Sequence, residues 1–527
     1  MSDIESTQQL MSATPDTFVL AEPEGPPSEK MTPGEWVKAR LFSSPANSVV
    51  TVILGLISAY AGYRFLRFVF ITGRWEPVGQ NLELFMIGTF DRAERWRVVG
   101  QTLATSAGIG LFLGNLAASR RDAAEQTGEP MVKTGWRTYA GSYWSIVLML
   151  ALLLGGFART IGPWLLVGGI IGLAAAGWFA TSRFPASLRA LGWTLSALAI
   201  IGGFQLMSGT GGWAWFYTTL AFVPLLSDLI GRAQPDMARW LAPALVGAAG
   251  LIGVATLVTQ STTIGIVVLI VAAYGAVQWR QGDRLDAART GAVVLTGAVV
   301  SLINGLIDHS GIDWGDWSGL HLSLIVTACS IALAFPIGVL LALGRRSDLP
   351  AVKMMSVVYI EFFRGAPLIT FLLTAQFFLG FFLDTDNPLS AITRATAAIT
   401  LFSAAYVAEI VRGGLQAVPK GQVEAGQASG LSPAKITRLI VLPQALRAVI
   451  PAMVGQFISL FKDTSLLGII AITEFLDVRA LVHSQEDFRG FGIAETLTFV
   501  AFIYWAFAFA MSRESQRLER VLGVGRR

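Results

Sequence analysis

Arg364 is the first residue whose chemistry needs an explanation, because it interrupts the apolar run YIEFFRGAPLITFLLTAQFFLGFF, residues 359–382. An arginine at membrane depth costs roughly 2.5–3.5 kcal/mol on insertion scales, so it requires a partner. Glu361 stands three residues earlier, on the same helical face. One reading is a structural Glu361–Arg364 pair. The other is recognition of a ligand carboxylate by the planar, permanently charged guanidinium. Gly365 and Pro367 interrupt the helix just beyond it and would free backbone groups to line a cavity. A second polar set lies in another apolar run: Gln456, Ser459, Lys462, Asp463, Thr464 and Ser465. Gln456, Ser459 and Asp463 follow i, i+3, i+7 spacing, which is one stripe of a helix. A zwitterionic amino acid needs a cation for its carboxylate and an anion or carbonyls for its ammonium. Arg364 and Asp463 are a chemically sensible pair for that task. Mutual neutralisation of Lys462 and Asp463 is the structural alternative.

Other chemistries find no support. The lysines follow Glu29, Val37, Val132, Val352, Pro419, Ala434 and Phe461, never glycine, so no Walker A loop is present. Three scattered histidines (His309, His321, His483) suggest no metal site, and the single Cys329 excludes an internal disulfide. No catalytic residue, metal site or cofactor of the chain itself is expected. The net charge of +4 reflects loop arginines rather than a nucleic-acid surface.

Elements that could position these residues are read from hydropathy. The chain is 53% hydrophobic and 14% charged, against about 25% charged for soluble proteins. Apolar runs near the roughly 20 residues needed to cross a bilayer recur. Fourteen spans are expected: 48–71, 98–118, 142–158, 163–181, 188–207, 213–230, 240–258, 262–279, 288–307, 321–344, 356–382, 391–412, 446–471 and 494–512. The fold class is therefore all-α, a polytopic membrane protein. Residues 1–47, rich in Pro, Glu, Ser and Thr, read as a disordered tail without the apolar core of a signal peptide. Basic residues alternate with mixed or acidic loops. Arg120, Arg121, Arg183, Arg189, Arg345 and Arg346 fall on one side; Asp308, Asp313, Asp316, Asp384 and Asp386 fall on the other. By the positive-inside rule both termini are expected in the cytosol.

Ionisable residues inside spans concentrate beyond residue 310, which places function there. The spans from 142 to 307 read as scaffold, with Gly168, Gly169, Gly172, Ala175 and Ala176 available for close helix packing.

One polar segment stands out among the C-terminal spans. Pro419 suits a helix start, Gly430 tolerates a left-handed stop, and Ser432–Pro433 can open a second helix. Its spacing is Glu424-Ala425-Gly426, three residues, Gly430, nine residues, Ile440, one residue, Leu442-Pro443. This resembles the EAA loop of ABC importer permeases, with Gly426 in place of the second alanine. Together with YIEFFRGAPLI, AEIVRGGLQAVPKGQ, LPQALR and FKDTSLL, residues 310–522 look like polar amino-acid ABC permeases, in particular the longer permease of general L-amino acid importers.

The resemblance implies a type I, five-helix permease core at 317–513 with its coupling loop at about 415–443. Tails at 1–47 and 514–527, N-terminal segments at 48–118 and additional helices of unknown role at 119–310 complete the division. The implied partners are a pair of ABC ATPase subunits that use ATP, a second permease, identical or homologous, an external solute-binding protein and membrane lipid. The implied setting is the bacterial inner membrane. The implied function is import of polar L-amino acids. An ion-coupled secondary amino-acid transporter is the alternative and would need inverted repeats; a scaffold or receptor with a decayed core is a third reading.

Overall fold

The computed structural model describes residues 32–127, 162–208, 214–231, 243–251 apart from Ala249, 262–280, 314–378 and 390–522, with isolated positions between 288 and 296. The spans expected at 142–158, 240–258 and 288–307 fall wholly or mostly outside these residues, as do His309 and the acidic positions 308, 313, 384 and 386. The chain forms two compact units, residues 1–74 and 75–527.

In the first unit, α1 (Pro33–Leu41) lies within the stretch expected to lack structure. Thr32 and Glu35 form a reciprocal capping box, and Pro33 occupies the first turn, which together start this helix. α2 (Pro45–Arg67) continues through a π-turn to Thr72, and none of its residues is buried.

The second unit is helical, with one isolated bridge between Gly319 and Glu474 and no strand among the described residues. Short helices α3 (Glu76–Gln80) and α4 (Leu82–Ile87) precede α5 (Arg95–Thr127). Then come α6 (Gly162–Ser182), α7 (Arg189–Ser208), α8 (Ala214–Gly231) and α9 (Thr262–Arg280). The remainder comprises α10 (Gly319–Arg345), α11 (Pro350–Arg364), α12 (Leu368–Phe377), α13 (Ala391–Ala417), α14 (Lys420–Ala428), α15 (Pro433–Ile436), α16 (Leu442–Asp463), α17 (Val478–Ser484) and α18 (Ile493–Leu522). Eight helices among the described residues are long and apolar enough to cross a membrane, or nine if α11 and α12 count as one broken span.

The single span expected at 356–382 is in fact this broken pair, bent by 100°. Pro367 has no backbone N–H to donate and drives Ala366 out of helical conformation, while Gly365 removes side-chain resistance to the turn. The break sets Arg364 at the end of one helix rather than in the middle of a span.

α5, α6 and α7 pack as one group through hydroxyl-to-carbonyl hydrogen bonds. Ser106 donates to Ile170 O (2.6 Å), Ser196 to Gly108 O (2.7 Å) and Thr181 to Leu111 O (2.8 Å). In lipid such bonds and small residues drive helix association. The group meets the C-terminal helices where Gln101 Oε1 lies 2.6 Å from His321 Nε2 and Phe204 meets Trp317 edge-on. The segment 76–90 is also built into this region. Val78 and Phe85 are fully buried with Leu320, Phe475, Val482 and Phe499.

The C-terminal core is organised on α13, whose buried face runs from Ile392 to Leu415. One apolar cluster joins Ile399 and Phe402 to Leu322, Val326, Leu372, Leu460 and Leu467. A second joins Val407, Val411 and Leu415 to Ala342, Ile360, Ile436, Ala445 and Val449.

Candidate functional site

The polar segment between α13 and α16 is built by its punctuation. Val418 and Pro419 are extended, and Pro419 is the N-cap residue of α14 rather than its first helical residue. At the other end Gly430 adopts φ +73°, its N–H donates to Gln427 O (2.9 Å), and Leu431 N–H donates to Gly426 O (3.1 Å). This is a Schellman stop, which a glycine at that position permits. Ser432 sits at the next N-cap position but its side chain makes no capping bond. α15 then runs through a π-turn at Thr437–Val441 directly into α16, so the second half of the segment is continuous with a span.

Gly426 is the buried residue of α14: an added Cβ would lie 2.9 Å from Ile436 Cγ1 and 3.3 Å from Ile440 Cδ1. Glu424, Ala425, Gln427 and Ala428 are exposed. Gly426 therefore presses α14 onto its own fold, and Glu424, Ala425 and Ala428 form the open face. Leu442 and Pro443 open α16, where Pro443 occupies a first-turn position.

The Glu361–Arg364 pair does not form. Glu361 Oε1 instead accepts from Arg345 Nη1 at 3.2 Å. Arg364 approaches Glu409 on α13, with Nη1 3.6 Å from Oε2. Its guanidinium also lies 5.8 Å from the centre of the Tyr406 ring. Glu409 is the centre of the cluster. Arg345 Nη1 lies 2.6 Å from Oε1, and Arg412 places Nη2 and Nε at 2.9 and 3.0 Å from Oε2. Three guanidiniums from α10, α11 and α13 thus converge on one carboxylate. Glu409 was legible only as an acid three residues before Arg412 in an apolar run; its link to Arg345 and Arg364 is tertiary.

The α16 stripe has a different character. Gln456 and Asp463 are half-buried and Ser459 and Lys462 are exposed; Asp463 feels the charge of the adjacent Lys462, and none of the four side chains makes a hydrogen bond or a close ion pair among the described residues. Thr464 is separate from them: it is fully buried and its hydroxyl donates to Phe461 O at 2.7 Å. The structure joins Arg364 and Glu361 to one cluster and Gln456, Ser459 and Asp463 to one helix face. Among the described residues no hydrogen bond or ion pair links the two sets.

A further acid, missed in the sequence, lies beyond the end of α16 and outside the spans. Glu474 is fully buried. Its Oε1 accepts from Asp477 N at 2.8 Å, and its Oε2 from Tyr504 Oη at 3.0 Å and Ser323 Oγ at 3.5 Å. Burial raises its carboxyl above the ordinary range, against the opposing pull of the Leu476 N–H, the Tyr504 hydroxyl and the Asp477 N–H.

Comparison with known proteins gives these arrangements a context. Residues 334–521 match the family described as binding-protein-dependent transport system inner membrane component. The chain is 45% identical over 226 residues to the inner membrane amino-acid ABC transporter permease protein YhdY of Escherichia coli, covering 43% of this chain and 61% of that one. It is 44% identical over 212 residues to the glutamate/glutamine/aspartate/asparagine transport system permease protein BztC of Rhodobacter capsulatus, covering 40% and 49%. It is 35% identical over 203 residues to the probable glutamine ABC transporter permease protein GlnP of Bacillus subtilis, covering 38% and 91%. The match thus spans only about half to three-fifths of the first two relatives.

Proposed function

The chain belongs to the family of binding-protein-dependent transport system inner membrane components, and we propose that it is the permease subunit of an ATP-binding-cassette importer of polar L-amino acids. The observation that carries this reading is the exposed face of α14, held on a glycine stop and propped by Ile436 and Ile440. A separate ATPase pair docks there and its closure moves α13 and α16. Both termini and this segment face the cytosol. A second permease, identical or homologous, completes the pathway, and an external solute-binding protein delivers substrate. Ion-gradient coupling gains no support from the family match or from the relatives.

The substrate reading rests on α16. Polar side chains that make no hydrogen bond on a spanning helix are costly in lipid, so Gln456, Ser459 and Asp463 face a wet path or a second protein. Asp463 takes the ammonium, with Lys462 at the edge of the path, and Arg364 takes the carboxylate. Thr464 supports this surface from behind. The relatives named for glutamine, glutamate, aspartate and asparagine support a polar amino acid as cargo.

The test is import of radiolabelled amino acids by the chain reconstituted with its ATPase and binding protein. Gly430→Val with Glu424→Ala should cut import and substrate-dependent ATP hydrolysis about tenfold, because a β-branched residue resists the left-handed stop. Membrane insertion should survive. Normal import by this double variant would remove the docking role. Arg364→Lys keeps the charge and loses the fork, so it should lower import severalfold at equal expression. External labelling of a cysteine placed in 419–432 would overturn the orientation.

A further inference from the structure

The cluster around Glu409 is unbalanced. Arg345, Arg364 and Arg412 supply three positive charges, and Glu409 and Glu361 supply two negative ones. Arg345 and Arg412 hold Glu409 at 2.6 to 3.0 Å, whereas Arg364 is the loosest member at 3.6 Å. Its side chain is also the most exposed of the three, at 37% against 28% for Arg345 and 31% for Arg412. It is borne by the last residue of α11, immediately before the 100° break, so it can swing without moving α10 or α13.

We propose that Glu409 is the resting counter-ion of Arg364 and competes with the substrate carboxylate for it. Arg345 and Arg412 anchor Glu409 and keep it from following Arg364. Glu409 is thus a positioning residue that weakens substrate binding in the pathway and favours release. An anion gripped by an unopposed, partly exposed guanidinium would be held too long. This rests on the import reading above, and in particular on Arg364 receiving the carboxylate.

Equilibrium binding tests it, with the permease–ATPase complex in nanodiscs without binding protein. The probe is an equimolar mixture of radiolabelled polar L-amino acids. Glu409→Gln should tighten binding roughly fivefold, the scale of one partly exposed ion pair that no longer competes. Glu409→Asp, whose shorter reach loses Arg364 first, should shift binding in the same direction by less. Arg364→Gln should abolish binding, and adding Glu409→Gln to it should restore nothing. A purely structural Glu409 predicts unchanged or weaker binding in both Glu409 variants with a lowered unfolding temperature, and that result overturns the proposal. Absence of binding by the unmodified complex, with import intact, would also overturn it while leaving the import reading standing. Absence of import altogether would remove that reading and this inference with it.

Discussion

Gly110→Val is expected to break the α5–α6 crossing, while Gly168→Val should leave it intact. A Cβ at Gly110 would fall on the Ala174 carbonyl, which is backbone and cannot rotate away. From the other side a Cβ at Gly177 would lie 2.7 Å from Ala107 O and 2.8 Å from Leu111 N. The two backbones touch, and the Ser106 and Thr181 hydrogen bonds depend on that approach. Forcing in an isopropyl group costs about 1–3 kcal/mol from overpacking, and the loss of either hydroxyl bond adds to it. Gly168 has nothing within 4 Å, so valine there meets open space. Unfolding temperatures of the detergent-solubilised chain report the crossing: a clear drop is expected in Gly110→Val and none in Gly168→Val. An unchanged unfolding temperature in Gly110→Val would show that the two backbones can move apart at no cost.

This pair also shows where sequence reasoning stops. Small residues on α6 were legible as a packing face, but composition could not say which of them meet a partner. Gly168 and Gly172 face open space, a Cβ at Gly169 would lie 3.1 Å from the Leu103 side chain, and Gly177, not among those expected, makes the backbone-to-backbone approach. Span positions were readable because hydropathy is a local property. Thus the helices Pro45–Thr72, Trp164–Ser182 and Gly319–Arg345 lie close to where the apolar runs placed them. The 100° break was half legible, since Gly365 and Pro367 announce an interruption but not its angle. The coupling segment was the most readable part, because glycine and proline act on their own backbone. Gly430 stops α14 for a reason contained in the residue itself. Partners of charged residues were the least readable. Glu361 is three residues from Arg364, yet pairs with Arg345, sixteen residues away across a helix turn-around. Glu409 and Glu474 draw their meaning from three elements each, and nothing in a one-dimensional pattern brings those elements together.

Glu474→Ala is expected to be among the most destabilising single changes in the chain. It would leave the Tyr504 hydroxyl and the Asp477 N–H short of an acceptor in a fully buried place, whereas the Ser323 hydroxyl can still donate to Gly319 O at 3.3 Å. Each orphaned group costs about 1–3 kcal/mol, so a loss of about 2 kcal/mol or more is expected. Phe475 N–H, which donates to Ser323 Oγ at 3.2 Å, would be disturbed as well. Glu474→Gln keeps one carbonyl acceptor for Tyr504 and Ser323 but turns an amide donor toward the Asp477 N–H, so a smaller loss, about 1 kcal/mol, is expected. The two variants also differ in pH dependence. Burial raises the folded-state pKa of Glu474 above its ordinary value of 4.5. Its contribution is therefore fully present below the unfolded pKa and is lost as pH rises through the folded one. Asp477, also acidic, adds to the rise by repulsion. Unfolding temperatures of the detergent-solubilised chain, taken between about pH 4.5 and 8, provide the check. The unmodified protein should gain on Glu474→Gln as the pH falls toward 4.5 and lose that advantage at the alkaline end. The opposite slope would mean that the four donors around the carboxylate outweigh its burial and hold it ionised in the folded state.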